Sequence, residues 1–149
     1  MPIKDLLTIL QVEDTPSDAI LTAHALQTGD VPYSIHVVQD GRQAICFLNR
    51  QEGFANAPRP DLIILDLNLP GLDGHEVLKF IKDDEGLRAI PVVVFTTLAT
   101  KESQLKAYEG RANSYVVKPQ DLDSFTEKIQ SIASYWFNTS SLLAKPGAV

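Results

Sequence analysis

The chain carries a single cysteine among its 149 residues, so it can close no internal disulfide. Cys46 lies between Ile45 and Phe47 in a helical pattern, the setting of a buried, inert thiol. Long hydrophobic runs are missing as well. Runs such as Leu62–Leu65 and Val92–Phe95 fall far short of the roughly 20 apolar residues that a membrane-spanning helix requires, and the N-terminus shows no signal-peptide apolar region. Together these features give the expectation of a cytoplasmic protein without membrane contact. Basic charge is scarce: 13 Lys and Arg face 19 Asp and Glu, a formal net charge of −6. A field of that sign opposes a non-specific hold on nucleic acid or anionic lipid, and no basic stripe offsets it. Nucleic acid is therefore not expected as a partner.

What is present is an ordinary globular composition, 44% hydrophobic and 21% charged. The length suits one domain with one core. No repeat, low-complexity block or linker divides it. We expect one domain over residues 1–138 and a small, polar, frayed tail over residues 139–149.

Short apolar runs alternate with helix-length patterns. Leu6–Val12, Tyr33–Val38, Leu62–Leu65, Val92–Phe95 and Ser114–Val117 read as strands, each followed by a helix. The first, third and fourth are nearly unbroken Leu, Ile and Val, the pattern of strands covered on both faces. An α/β, doubly wound five-stranded parallel sheet follows. Helix starts are legible at Thr15-Pro16, an N-cap with Pro at the first helical position, and at Asp73-Gly74. The Gln51–Pro60 stretch, with Gly53, Pro58 and Pro60, reads as a surface connection. In the last helix, Leu122, Phe125, Ile129, Ile132 and Trp136 form one apolar stripe, and Tyr135 and Phe137 fall off it.

Ligands of open parallel sheets bind outside the carboxyl ends of the strands, where the strand order reverses. The first strand ends in Glu13-Asp14, the third in Asp66, the fourth in Thr96-Thr97 and the fifth in Lys118-Pro119. Three carboxylates, hydroxyls and an amine thus converge on one rim. Carboxylates about 5 Å apart repel by roughly 3 kcal/mol per pair at an effective dielectric near 20, so the array calls for cations. Lys118 supplies one. Oxygen-only donors suit a hard divalent ion, Mg2+ rather than a Ca2+ cage, with Mn2+ as a substitute. An aspartate at the mouth of a buried strand can act as a nucleophile toward phosphorus. Taken singly, each residue has a plainer role: Glu13-Asp14 as helix-start acids, Asp66 as a turn cap, Lys118 as a surface lysine. His24, His36 and His75 show no metal-ligand spacing.

Val12-Glu13-Asp14, Asp66-Leu67-Asn68-Leu69-Pro70-Gly71-Leu72-Asp73-Gly74, Pro91–Thr96 and Tyr115-Val116-Val117-Lys118-Pro119 resemble, in order, the signatures of response-regulator receiver domains of two-component signalling. Glu13-Asp14-Thr15-Pro16-Ser17-Asp18, the connection Asn56-Ala57-Pro58-Arg59-Pro60-Asp61 and the aromatic end Tyr135-Trp136-Phe137 resemble the stand-alone regulators of cyanobacterial phytochrome kinases. The resemblance implies a flavodoxin-like (βα)5 fold with strand order 2-1-3-4-5. It implies that Asp66 is the phosphoacceptor and that Glu13, Asp14 and Asp66 hold Mg2+ with the main-chain carbonyl of Asn68. Thr96 and Lys118 would bind the phosphoryl group and Tyr115 would switch rotamer. The donor would be a phytochrome-type sensor histidine kinase, and output would pass through protein contacts at the face around Lys106, Tyr115 and Phe125. Tyr135, Trp136 and Phe137 are candidates for a homodimer contact. The rival reading is an enzyme, a phosphatase or mutase working through an aspartyl phosphate. Such enzymes want a second acid two residues after the nucleophile, where this chain has Asn68, so no evident general acid serves a leaving group. A nucleotide or flavin module would want glycines and hydroxyls after the first strand, where Glu13-Asp14 would repel phosphate.

Overall fold

The computed structural model describes residues 7–29 and 32–139. Five βα units follow one another: β1 (Leu7–Val12), α1 (Pro16–Gln27), β2 (Tyr33–Val38), α2 (Gly41–Asn49), β3 (Leu62–Leu65), α3 (Gly74–Asp83), β4 (Val92–Thr96), α4 (Lys101–Glu109), β5 (Ser114–Val117) and α5 (Leu122–Ser134). A π-helical turn, Tyr135–Thr139, extends α5. Leu6 and the tail beyond Thr139 lie outside the described residues.

All strand pairs are parallel and the order is β2-β1-β3-β4-β5. β1, β3 and β4 are buried almost throughout, whereas the edge strands β2 and β5 are partly open. This is why the central strands are mostly Leu, Ile and Val, with Thr8 and Gln11 the polar exceptions in β1: both faces need apolar cover. Alternate residues of β3 serve opposite layers. Ile63 and Leu65 pack with Val77, Leu78 and Ile81 of α3 and Phe47 of α2. Leu62 and Ile64 pack with Leu26 of α1 and with Phe125 and Ile129 of α5.

Helix starts are fixed locally. Asp73 caps α3 through a reciprocal box with Glu76, and Asp40, Thr100 and Asp121 cap α2, α4 and α5. Thr15 does stand at the N-cap of α1, but its side chain makes no capping hydrogen bond; Pro16, with its preset φ, opens the helix instead.

The stripe expected along the last helix needs two corrections. Leu122, the first residue of α5, is 58% exposed, and the buried face of the helix begins at Phe125. Phe137 turns inward, its ring 5.0 Å from that of Tyr33. A π-helical turn takes more residues per turn than an α-helix, so Phe137, five positions after Ile132, rejoins the inner face. Phe125 is likewise buried, edge-on to Phe95 at 5.1 Å, and so does not belong to the exposed face around Lys106 and Tyr115.

Candidate functional site

The reversal in strand order falls between β1 and β3, and the register decides what meets there. Val12 pairs with Leu65, so the next residues, Glu13 and Asp66, leave the sheet side by side. The Asp66 amide donates to Val12 O at 3.0 Å and the Glu13 amide to Val38 O at 2.9 Å. On the other flank Thr96 pairs with Val117, and the Lys118 amide donates to Thr96 O at 2.7 Å. Four strand ends therefore deliver Glu13-Asp14, Asp66, Thr96 and Lys118 to one rim.

Carboxylate oxygens of Glu13, Asp14 and Asp66 lie within 4.8 Å of one another. Glu13 and Asp66 are buried, and Asp14 is open to solvent. The Lys118 ammonium, 4% exposed in its side chain, donates to Glu13 Oε1 at 2.5 Å, to Asp66 Oδ2 at 2.9 Å and to Asp18 Oδ2 at 2.9 Å. The other Asp66 oxygen, Oδ1, accepts from the Asn68 amide at 3.0 Å. Burial alone would push the Lys118 ammonium down, but its bonds to Glu13, Asp66 and Asp18 outweigh that and hold it above the ordinary lysine range. For Glu13, burial raises the carboxyl to about 7, the Asp66 charge adds to the rise, and Lys118 pulls the other way.

The backbone around Asp66 is held from behind. A Cβ on Gly74 would collide with the Asp66 carbonyl oxygen and Leu67 Cα, so only glycine lets α3 begin this close to the acidic loop. The Gly74 amide donates to Leu67 O at 3.1 Å.

Thr96 is fully buried, its hydroxyl accepting from the Leu98 amide at 3.4 Å, whereas Thr97 is exposed. Tyr115 stands apart from the carboxylates. Its hydroxyl donates to Leu98 O at 2.8 Å and meets Ser103 Oγ at 2.8 Å. Asn68 has an exposed side chain at the lip. Tyr135, Trp136 and Phe137 are remote; Tyr135 is exposed, and Trp136 and Phe137 are partly buried.

Asp18 was not anticipated. An acid in the first turn of a helix has a sufficient local reason to be there. The available signal is topological: in a βα unit the helix N-terminus hangs over the strand's carboxyl end, so the first turn of α1 overlooks the same rim as Glu13.

The strand ends thus hold a buried carboxylate beside two further acids and a buried ammonium. The response regulator receiver domain family matches residues 9–130, and the chain belongs to that family. It is 40% identical over 136 residues to the response regulator Rcp1 of Synechocystis sp., covering 91% of this chain and 92% of that one. The crystal structure of the phosphorylated cyanobacterial phytochrome response regulator RcpA has a TM-score of 0.91 at 38% identity, with 94% of this chain and 100% of that one covered. The Mn2+-bound form of Rcp1 has a TM-score of 0.88 at 40% identity, with 92% and 99% covered. This is a regulatory protein built on the receiver fold. Receivers bind Mg2+, and the all-oxygen cluster of Glu13, Asp14 and Asp66 has the donor chemistry for such a hard ion. Among the described residues, no helix is long and apolar enough to cross a membrane.

Proposed function

We propose that Asp66 accepts a phosphoryl group from a phosphohistidine on a phytochrome-type sensor kinase and that the altered surface signals to protein partners. The observation that carries this reading is the setting of Asp66: a buried carboxylate within 4.8 Å of two further acids and 2.9 Å from a buried ammonium. Glu13, Asp14 and Asp66, with the main-chain carbonyl of Asn68, are the Mg2+ ligands in this reading. Bound Mg2+ neutralises charge on the phosphoryl oxygens.

An Asp66 carboxylate oxygen attacks phosphorus. The phosphorus–nitrogen bond of the donor breaks, and the leaving imidazole nitrogen takes the electron pair and a proton from water. The contribution of the chain is placement and charge. The Asn68 amide and Lys118 fix the two Asp66 oxygens, and Lys118 balances the negative charge that arrives. The Thr96 hydroxyl, which accepts from the Leu98 amide at rest, turns to donate to a phosphoryl oxygen and draws away from that amide. That turn loosens Leu98, whose carbonyl holds Tyr115, and so links the site to α4. Water attack on the acyl phosphate, without a leaving-group acid at Asn68, resets Asp66 as the only turnover.

The pairing with a phytochrome-type kinase is supported by the likeness to Rcp1 and RcpA. A cytoplasmic location and a homodimer touching Tyr135 and Trp136 belong to the same reading. The test is incubation with Mg2+ and acetyl phosphate followed by intact mass. One added phosphoryl unit, absent in Asp66→Asn, is expected; equal addition to both proteins, or none to the wild type, overturns the assignment.

A further inference from the structure

Three carboxylates surround Lys118, and only two of them belong to the acidic cluster. An ammonium has three hydrogens to donate, and here Glu13, Asp18 and Asp66 take one each, at 2.5, 2.9 and 2.9 Å. A phosphoryl group on Asp66 needs a donor from the same amine, so one resting partner must leave.

The three are not equal candidates. The Glu13 side chain is 4% exposed, and releasing it would strand a buried carboxylate. With the phosphoryl group on Asp66 Oδ1, Oδ2 remains an acyl oxygen that still accepts from Lys118. The Asp18 side chain is 26% exposed, so on release it meets water. Asp18 also sits in the first turn of α1, where the positive end of the helix continues to favour its charge.

We propose that Asp18 is a stand-in for the phosphoryl group: it occupies the third hydrogen of Lys118 at rest, holds the amine over Asp66, and gives up that hydrogen when the phosphoryl group arrives. Asp18 is thus a positioning residue that sets how strongly the site takes an anion. This inference rests on the reading of Asp66 as the phosphoacceptor. Removing the charge of Asp18 both weakens its hold on the amine and withdraws a negative charge from beside the incoming anion. At a separation of about 6 Å in a partly watery setting, the second effect alone gives a gain of about three- to tenfold.

The experiment compares wild type, Asp18→Asn and Asp123→Asn at saturating Mg2+. Asp123 is an exposed acid in the first turn of α5, so its variant removes the same charge without touching Lys118. Titration with beryllofluoride, an analogue of the phosphoryl group, should show three- to tenfold tighter binding in Asp18→Asn and an unchanged constant in Asp123→Asn. In the wild type the carboxyl 13C signal of Asp18 should move on binding, reporting its release. Weaker binding in Asp18→Asn, with an Asp18 signal that stays put, means that Lys118 lets go of Asp66 instead, and overturns the proposal. Equal constants for wild type and Asp18→Asn overturn it as well. Failure of the wild type to bind beryllofluoride or to gain a phosphoryl unit from acetyl phosphate would instead count against Asp66 as the acceptor.

Discussion

Lys118 is the cation on which the metal-free site depends, and Lys118→Met isolates that dependence. The substitution keeps an unbranched chain of similar length and removes the charge. Glu13 and Asp66, with side chains 4% and 6% exposed, then face each other without a counter-charge. With their oxygens within 4.8 Å, each carboxylate pair repels by about 3.5 kcal/mol at an effective dielectric near 20. Removing one partner from a buried ionic cluster costs about 3–5 kcal/mol. Urea unfolding at pH 8 in a chelator should show a loss of that size. Mg2+ supplies the missing charge, and at a hundred times its dissociation constant it should return about 2.7 kcal/mol. Proton uptake should help too. The Glu13 carboxyl is raised from 4.5 to about 7 in the wild type, and it rises further without Lys118, which pulls it down. A carboxyl raised in the folded state binds more protons folded than unfolded between those values, so stability increases as the pH falls through that window. The variant should therefore be less impaired at pH 6 than at pH 8. A loss below about 1 kcal/mol at pH 8 without metal, or one that neither Mg2+ nor acid relieves, refutes the reasoning.

Other outcomes follow from single features. Protons compete with the metal at Glu13, so the apparent Mg2+ dissociation constant of the wild type should rise about fivefold between pH 7 and pH 6 by calorimetry; a slope unchanged in Glu13→Gln contradicts the assignment. Gly74→Ala drives a Cβ into the Asp66–Leu67 backbone; a loss of about 1–3 kcal/mol in urea is expected, together with slower acceptance from acetyl phosphate. Full stability and rate would show that α3 can retreat. Lys82, buried in α3, donates to Arg88 O, Ile90 O and Asn113 Oδ1, each at 3.0 Å. Lys82→Met should lose about 1–3 kcal/mol in urea with phosphoryl acceptance unchanged, since these groups brace the strand starts at the far end of the sheet from Asp66.

The strands were legible because buried parallel strands write themselves as short runs of Leu, Ile and Val between turn residues, and the rim followed from what comes directly after each run. Glu13, Asp14, Asp66, Thr96 and Lys118 all fall at such junctions. Residues that reach the rim or the core from helices were harder to read. Asp18 resembles any helix-start acid until α1 is placed over β1. Lys82 follows Val77, Leu78 and Ile81 on the inward face of α3, a position its residue type disguises. Leu122 and Phe137 defeated the stripe because one precedes the sheet contact and the other follows a change from α to π geometry, neither of which a fixed helical period can express.

Aspartyl phosphate is reduced by borohydride to homoserine, which marks the acceptor permanently. Treating the protein with Mg2+ and acetyl phosphate, reducing it and sequencing its peptides by mass spectrometry should place homoserine at position 66, beside Leu67-Asn68, in proportion to the phosphoryl gained. Homoserine at another aspartate, or a phosphoryl gain that leaves Asp66 unreduced, would contradict the assignment of that carboxylate as the one this fold prepares for phosphorus.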